Sequence, residues 1–342
     1  MLTLERLQEI VAGFPRLTIA LVGDLFLDRY LEIDSAADEP SIETGLTAYQ
    51  IVRVRNSPGA LGTVMNNLAA LGVGRLLPVT VLGDDGHGYD LCKELERLPI
   101  DPQFLVHDSA RLTPTYTKPL RSNEQGEWFE LNRLDVRTRG PLTAAAETAV
   151  LRHVEAVFAE ADGVIVLDQV NETNWGVVNQ TVRARLQELS DSFPDKLVLV
   201  DSRNHLGEFF FGVLKGNRAE VTRASKSCGA EAPNVEDAVL TLARRTGRPA
   251  YVTVGEEGIM VARPDGWLRH SPGVPVTGPI DVVGAGDSAT AALVASLLAG
   301  ANEHEAAEIA CLVASITVQQ LGTTGVATPD QVIARRQQLP AN

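Results

Sequence analysis

The chain is punctuated by short apolar runs, each of which ends on an acid or a glycine. Thr18-Ile19-Ala20-Leu21-Val22 runs into Gly23-Asp24. Residues 76–82 run into Gly83-Asp84-Asp85, 163–167 into Asp168-Gln169, 197–200 into Asp201-Ser202, and 251–254 into Gly255-Glu256-Glu257-Gly258. A run without polar alternation suits a strand buried on both faces, and such strands belong to parallel sheets. Helical patterns separate the runs, at 64–71, 144–160, 177–189 and 235–246. Strand then helix, repeated, predicts a doubly wound α/β fold, a mostly parallel sheet flanked by helices. Ligands of such folds bind at the carboxyl ends of the strands. Here those ends carry acids and glycines.

Two stretches break the pattern. Residues 31–58 are irregular and then alternate through Tyr49-Gln50-Ile51-Val52-Arg53-Val54-Arg55. Residues 113–135 read as a second β-like stretch with Asn123-Glu124-Gln125-Gly126 as its turn. Together they predict a small β-sheet inserted as a lid, since long excursions in compact domains are usually functional. The 342 residues, 44% of them hydrophobic, are read as one domain.

Charge and cysteine use narrow the partners. Lys and Arg number 30 against 44 Asp and Glu, a net charge of −14. That balance repels a phosphate backbone or an anionic membrane at long range and predicts neither partner. Three dispersed cysteines suit no disulfide framework and predict reduced thiols in a cytoplasmic protein. The longest apolar stretch, 289–301, is too short to span a bilayer, and Glu5, Arg6 and Glu9 break any leader pattern. No HxH or HExxH pair and no P-loop occurs.

The strongest chemical signal is Asp281-Val282-Val283-Gly284-Ala285-Gly286-Asp287-Ser288, which opens an apolar helical run. A glycine turn at a helix start exposes unpaired amides at the positive end of the helix dipole, an anion site. Asp287 falls in the first turn, placed to take a proton from an incoming hydroxyl. The amides of Gly284, Ala285 and Gly286 could stabilise a transferring phosphoryl group. The same glycines loosely match a dinucleotide fingerprint, which keeps a nicotinamide oxidoreductase open.

This segment resembles the C-terminal signature of the PfkB, or ribokinase-like, carbohydrate kinases. The resemblance extends over nearly the whole chain. Val22-Gly23-Asp24-Leu25-Phe26-Leu27-Asp28-Arg29-Tyr30 is similar to the opening of the heptose-phosphate kinases of that family. Ser57-Pro58-Gly59-Ala60-Leu61-Gly62-Thr63 corresponds to the N-terminal glycine signature, Asn217-Arg218-Ala219-Glu220 to the NxxE motif, and residues 252–258 to the VTxGxxG loop. Leu321-Gly322-Thr323-Thr324-Gly325-Val326 resembles the usual C-terminal segment.

The resemblance implies a ribokinase-like fold and a set of roles. Asp287 is the general base, and Gly284, Ala285 and Gly286 form the anion hole. Asn217 and Glu220 organise Mg²⁺ through water beside ATP, and Thr253, Gly255 and Gly258 line the nucleotide. Asp24, Asp28, Gly59 and Thr63 face the sugar. Lys118 and Arg133 are cations for a substrate phosphate, with Arg121 beside them. Asp281 is a ligand for a monovalent cation such as K⁺. The implied acceptor is a sugar or sugar phosphate, D-glycero-β-D-manno-heptose 7-phosphate being the nearest pattern, and the implied assembly is a homodimer through the lids. Three departures lie on the sugar side. Ala60 replaces a glycine, Thr63 replaces an asparagine, and no Lys follows Asp168. Ala60 and Thr63 leave open a noncatalytic phosphosugar- or nucleotide-binding regulator on the same fold. The chain stops soon after the last motif, so a nucleotidyltransferase is not expected of it.

Overall fold

The computed structural model describes residues 2–123, 125–229 and 232–340. Its body is a nine-stranded sheet. The order is Leu268–Pro272, Gly258–Ala262, Ala250–Thr253, Val213–Asn217, Leu197–Ser202, Gly163–Asp168, Thr18–Gly23, Arg75–Gly83 and Leu105–Asp108. The strands from Ala250–Thr253 to Leu105–Asp108 run parallel, and the other two form an antiparallel edge.

The apolar runs are explained by what lies on either side of them. Alternate side chains of a strand point to opposite faces. Ile19, Leu21, Leu167 and Leu199 pack with the helices Leu61–Ala70, Ala285–Leu298 and Glu303–Thr317. Ala20, Val22, Val166 and Val200 pack on the other side with Ala144–Glu160, Gln180–Ser192 and Val235–Thr246. Each such Leu or Val contributes roughly 1.5–3 kcal/mol by leaving water, so neither face of a central strand tolerates a polar residue without a partner. Among the described residues no helix is long and apolar enough to cross a membrane.

The lid is a separate sheet in the order Leu134–Val136, Thr115–Ser122, Leu25–Ile33 and Ile51–Ala60, with Trp128–Glu130 paired to Thr115–Ser122. It begins earlier than the sequence reading has it. Leu25–Ile33 follows Gly23 with only Asp24 between, so Asp28 rides on a lid strand and not on the end of a body strand. Residues 34–50 hold one two-residue ladder, Glu39–Pro40 with Thr47–Ala48. The expected Asn123–Gly126 turn includes Glu124, which lies outside the described residues.

Candidate active site

The catalytic turn sits where the carboxyl ends of the central strands meet the helix Ala285–Leu298. Gly284 caps that helix at φ +81°, and a Cβ there would press on methyls of Thr63 and Thr324 at 3.3 Å. Glycine is therefore required both for the backbone and for the approach of Thr63. The Ala285 amide donates to the Val282 carbonyl at 3.2 Å. This corrects the expected anion hole: Ala285 closes the turn. The amides of Gly284, Gly286 and Asp287 are the ones without a protein partner among the described residues. Asp287 is half-buried. Burial and the nearby Asp201 charge raise its pKa to about 7, Asp28 adds to this, and Lys215 and Arg203 oppose it.

Beneath the turn lies a buried network that the motif reading missed. Lys215 is 3% exposed on Val213–Asn217. Its Nζ donates to Asp201 Oδ2 at 2.6 Å and to the Gly286 carbonyl at 3.0 Å. Thr290 Oγ1 donates to the same Asp201 oxygen at 2.9 Å. Burial opposes the Lys215 charge, but Asp201, Asp287 and Glu220 outweigh it and its pKa is raised. A lysine two residues before an Asn-x-x-Glu motif, pointing into an apolar layer, is the only sequence signal for it.

On the acceptor side the structure divides the predicted residues. Asp24, 4% exposed, accepts backbone N–H bonds from Gln169 (2.9 Å), Val170 (3.1 Å) and Val177 (2.8 Å). Its carboxylate thus acts as a clasp on the loop 169–177. Burial and Asp168 raise its pKa to about 6. Asp28 is free of such amides. It pairs with Lys118 Nζ at 3.1 Å, and a Cβ on Gly59 would stand 2.7 Å from its Oδ2. Gly59 is therefore the floor that lets the carboxylate lie flat. Lys118 also donates to the Tyr30 hydroxyl at 3.2 Å and stacks on that ring. Arg121 pairs with Asp38 and stacks on Tyr49. Arg133 pairs with Asp135 at 2.7 Å over the Tyr116 ring. Thr63 is buried beside Gly284. Ala60 holds φ +52° and ψ −114° at the start of the helix Leu61–Ala70, a backbone that side chains rarely adopt.

On the other flank, Asn217 and Thr253 are cross-strand neighbours at adjacent strand ends. Asn217 and Glu220 form a capping box, Glu220 N to Asn217 Oδ1 at 3.0 Å and Asn217 N to Glu220 Oε2 at 2.7 Å. Burial and Asp201 raise the Glu220 pKa. Gly255 at φ +66° and Gly258 at φ +108° bend the loop after Thr253. A Cβ on Gly258 would meet the Ser271 carbonyl at 2.2 Å. Asp281 accepts from Val283 N at 3.0 Å and Gly322 N at 3.1 Å. It joins the glycine turn to the segment 321–326. No group of three or more His, Cys, Asp or Glu side chains spaced for a metal occurs among the described residues. The electrostatics still fit Mg²⁺. Asp201, Asp287 and Glu220 are crowded carboxyls whose repulsion a hydrated divalent cation relieves, and Mg²⁺ keeps most of its water.

Residues 27–331 match the profile of the pfkB family carbohydrate kinases. The chain is 30% identical over 334 residues to the bifunctional protein HldE of Caulobacter sp. (strain K31), covering 96% of this chain and 64% of that protein. The HldE of Trichlorobacter lovleyi is 30% identical over 317 residues, covering 92% and 62%. The chain thus spans a little under two thirds of those relatives. Arabidopsis thaliana ribokinase, solved with ribose and ATP, superposes with a TM-score of 0.66 at 18% identity, covering 95% of this chain and 99% of that one. An Escherichia coli protein solved with ATP and Mg²⁺ superposes with a TM-score of 0.65 at 15% identity, covering 94% and 99%. Those two likenesses are of fold, which is ribokinase-like. The matched profile places the chain in the pfkB family of carbohydrate kinases.

Proposed function

We propose that this single-domain chain transfers the γ-phosphoryl group of ATP to a hydroxyl of a sugar or sugar phosphate. A heptose 7-phosphate is the acceptor that the opening motif favours. The observation that carries the reading is Asp287, half-buried beside the unpaired amides of Gly284, Gly286 and its own N–H. Those amides hold the transferring phosphoryl oxygens, and the Ala285–Leu298 dipole adds to them. Asp287 takes the proton of the attacking hydroxyl. Asp28, held by Lys118 over Gly59, accepts a hydrogen bond from another hydroxyl and orients the ring. Thr63 closes the wall beside Gly284. Arg133 is the lid cation for an acceptor phosphate, exchanging Asp135 for it. Thr253, Gly255 and Gly258 line the nucleotide. Asn217 and Glu220 hold the waters of Mg²⁺, which when bound neutralises the phosphate charge. A homodimer through the lids is part of this reading.

The regulator alternative rested on Ala60 and Thr63. Ala60 keeps a glycine-like backbone, so the substitution leaves the turn in place. Against an oxidoreductase, no strand leads directly into the Gly284 turn; residues 273–284 are irregular.

The test is ADP release from Mg-ATP with a panel of sugars and sugar phosphates. Acceptor-dependent turnover is expected to rise with pH as Asp287 loses its proton, with a midpoint below about 7 because bound Mg²⁺ offsets the acids around it. Asp287→Asn should lower kcat by roughly 10²–10⁴-fold. ATP binding without turnover on any acceptor would return the chain to the regulator reading.

A further inference from the structure

A buried lysine inside the proposed phosphoryl-transfer centre has no role in the chemistry described so far. Lys215 comes from the strand Val213–Asn217, Asp201 from Leu197–Ser202, and Gly286 and Thr290 from the helix Ala285–Leu298. All four meet at one point. The ammonium bonds Asp201 Oδ2 at 2.6 Å and the Gly286 carbonyl at 3.0 Å. Thr290 Oγ1 shares its one proton between that carboxylate oxygen and that carbonyl, at 2.9 and 3.1 Å. A Cβ added to Gly286 would lie 3.4 Å from Nζ, so the ammonium packs directly under the turn.

We propose that Lys215 is a positioning residue of this centre: its buried ammonium ties the glycine turn to the sheet and supplies the fixed positive charge beside Asp287. The proposal rests on the kinase reading above. A buried ion pair by itself says little about stability, and Met or Leu would fill this volume without desolvation cost. What an apolar side chain cannot do is hold the Gly286 carbonyl and offset a cluster of acids.

The charges facing Asp287 are Asp201 on the neighbouring strand, Lys215, Arg203 and, from the lid, Asp28. Glu220 faces Lys215 from the helix Arg218–Ser227. Two of the four charges facing Asp287 are anionic and raise its proton affinity, and Lys215 and Arg203 lower it. Of those two cations only Lys215 is buried, and Arg203 is exposed. A buried charge is screened least by solvent and salt, so Lys215 has the stronger hold on the base.

The experiment follows kcat against pH for wild type, Lys215→Met, Lys215→Gln and Lys215→Arg with saturating Mg-ATP and acceptor. Loss of the positive charge in Met and Gln should move the lower limb of the profile upward by about one unit, the usual size for a neighbouring charge. Lys215→Arg should return it towards wild type. A purely structural lysine would lower kcat at every pH and leave the midpoint alone, and that result overturns the proposal. Lys215→Met strands Asp201 and can fail to fold. The pair Lys215→Met/Asp201→Leu therefore replaces both charges by apolar groups. Its midpoint should lie at or below wild type, because Asp201 raises the proton affinity of Asp287 more than Lys215 lowers it, while kcat falls at least about tenfold from the loosened turn. Wild-type kcat in this pair would overturn the tether. Absence of turnover in wild type itself would sink the kinase reading and this proposal with it, and is told apart from the other outcomes by that control.

Discussion

Ala60 holds φ +52° and ψ −114°, and nothing but the surrounding structure keeps it there. Its neighbours explain the constraint. It closes the lid strand Ile51–Ala60 opposite Leu25, and the next amide, Leu61, donates to the Asp24 carbonyl at 3.0 Å. The chain must turn from lid to helix within one residue, and Ala60 is the N-cap, with no side-chain cap bond. A non-glycine residue in such a region costs on the order of 1–3 kcal/mol. Glycine would relieve that, less the 0.4–1 kcal/mol or so it adds to unfolded-chain entropy. Ala60→Gly should therefore raise stability by about 1 kcal/mol, read as a later urea midpoint at unchanged slope. An earlier midpoint would mean the backbone here is not strained. Because the turn leads into Thr63 and the Gly284 wall, catalytic constants should stay close to wild type.

The loop 169–177 is an element without regular structure whose shape depends on one side chain. Three of its amides converge on Asp24, and a Cβ on Gly176 would sit 3.0 Å from both carboxylate oxygens. Asp24→Asn sets two terms against each other. Raising its pKa from 3.8 to about 6 means that the ionised form costs the fold about 3 kcal/mol near neutral pH. The sign follows from the direction: a carboxyl that holds its proton more tightly when folded loses stability as pH rises from 3.8 to about 6. Asparagine removes that cost, but turns an NH2 towards amides that need an acceptor, about 1.5–3 kcal/mol for each bond lost. Global stability should change by less than about 1 kcal/mol, while amide exchange in 169–177 quickens at least tenfold. Unchanged exchange there would refute the clasp. The same scale shows what a sequence can and cannot disclose. The doubly buried strands and the helices Ala144–Glu160 and Val235–Thr246 were legible because burial on both faces, or one face per turn, writes itself into neighbouring residues. The strand Val213–Asn217 was not, since a buried Lys and two polar-end residues interrupt five positions. The glycine turn before Asp287 and the Asn217–Glu220 pair at a helix start were legible because their signals are local. The Asp24 clasp and the Lys215 tether were hidden because their partners lie 145 to 153 and 14 to 71 residues away.

For the molecule as a whole, the lid poses a problem that one chain does not solve. Ile51–Ala60 pairs with Leu25–Ile33 and ends its sheet, so its outer edge is open. Both faces of its first half are exposed: Ile51, Val52 and Val54 are 49%, 58% and 45% accessible, and Trp128, Phe129 and Leu134 are exposed on the same lid. Exposed apolar side chains beside an unpaired edge make a surface that proteins cover. In the homodimer proposed above, a second lid would cover it with a matching edge and matching apolar side chains, which a two-fold axis supplies. The consequence reaches the acceptor. Asp28 stands on the strand paired to that edge, and Gly59 stands on the edge strand itself. A dimer contact there would steady the Asp28 carboxylate, while a nucleotide side built on the body sheet would be independent of it. Sedimentation velocity at micromolar concentration should show a dimer, and Val52→Glu/Val54→Glu should convert it to a monomer. The monomer should bind acceptor at least about tenfold more weakly, with the KM for ATP within about twofold of wild type, as loss of uniform binding to one substrate predicts. A wild-type monomer, or a monomeric variant with unaltered acceptor KM, would separate lid pairing from acceptor binding and leave the apolar edge to another partner.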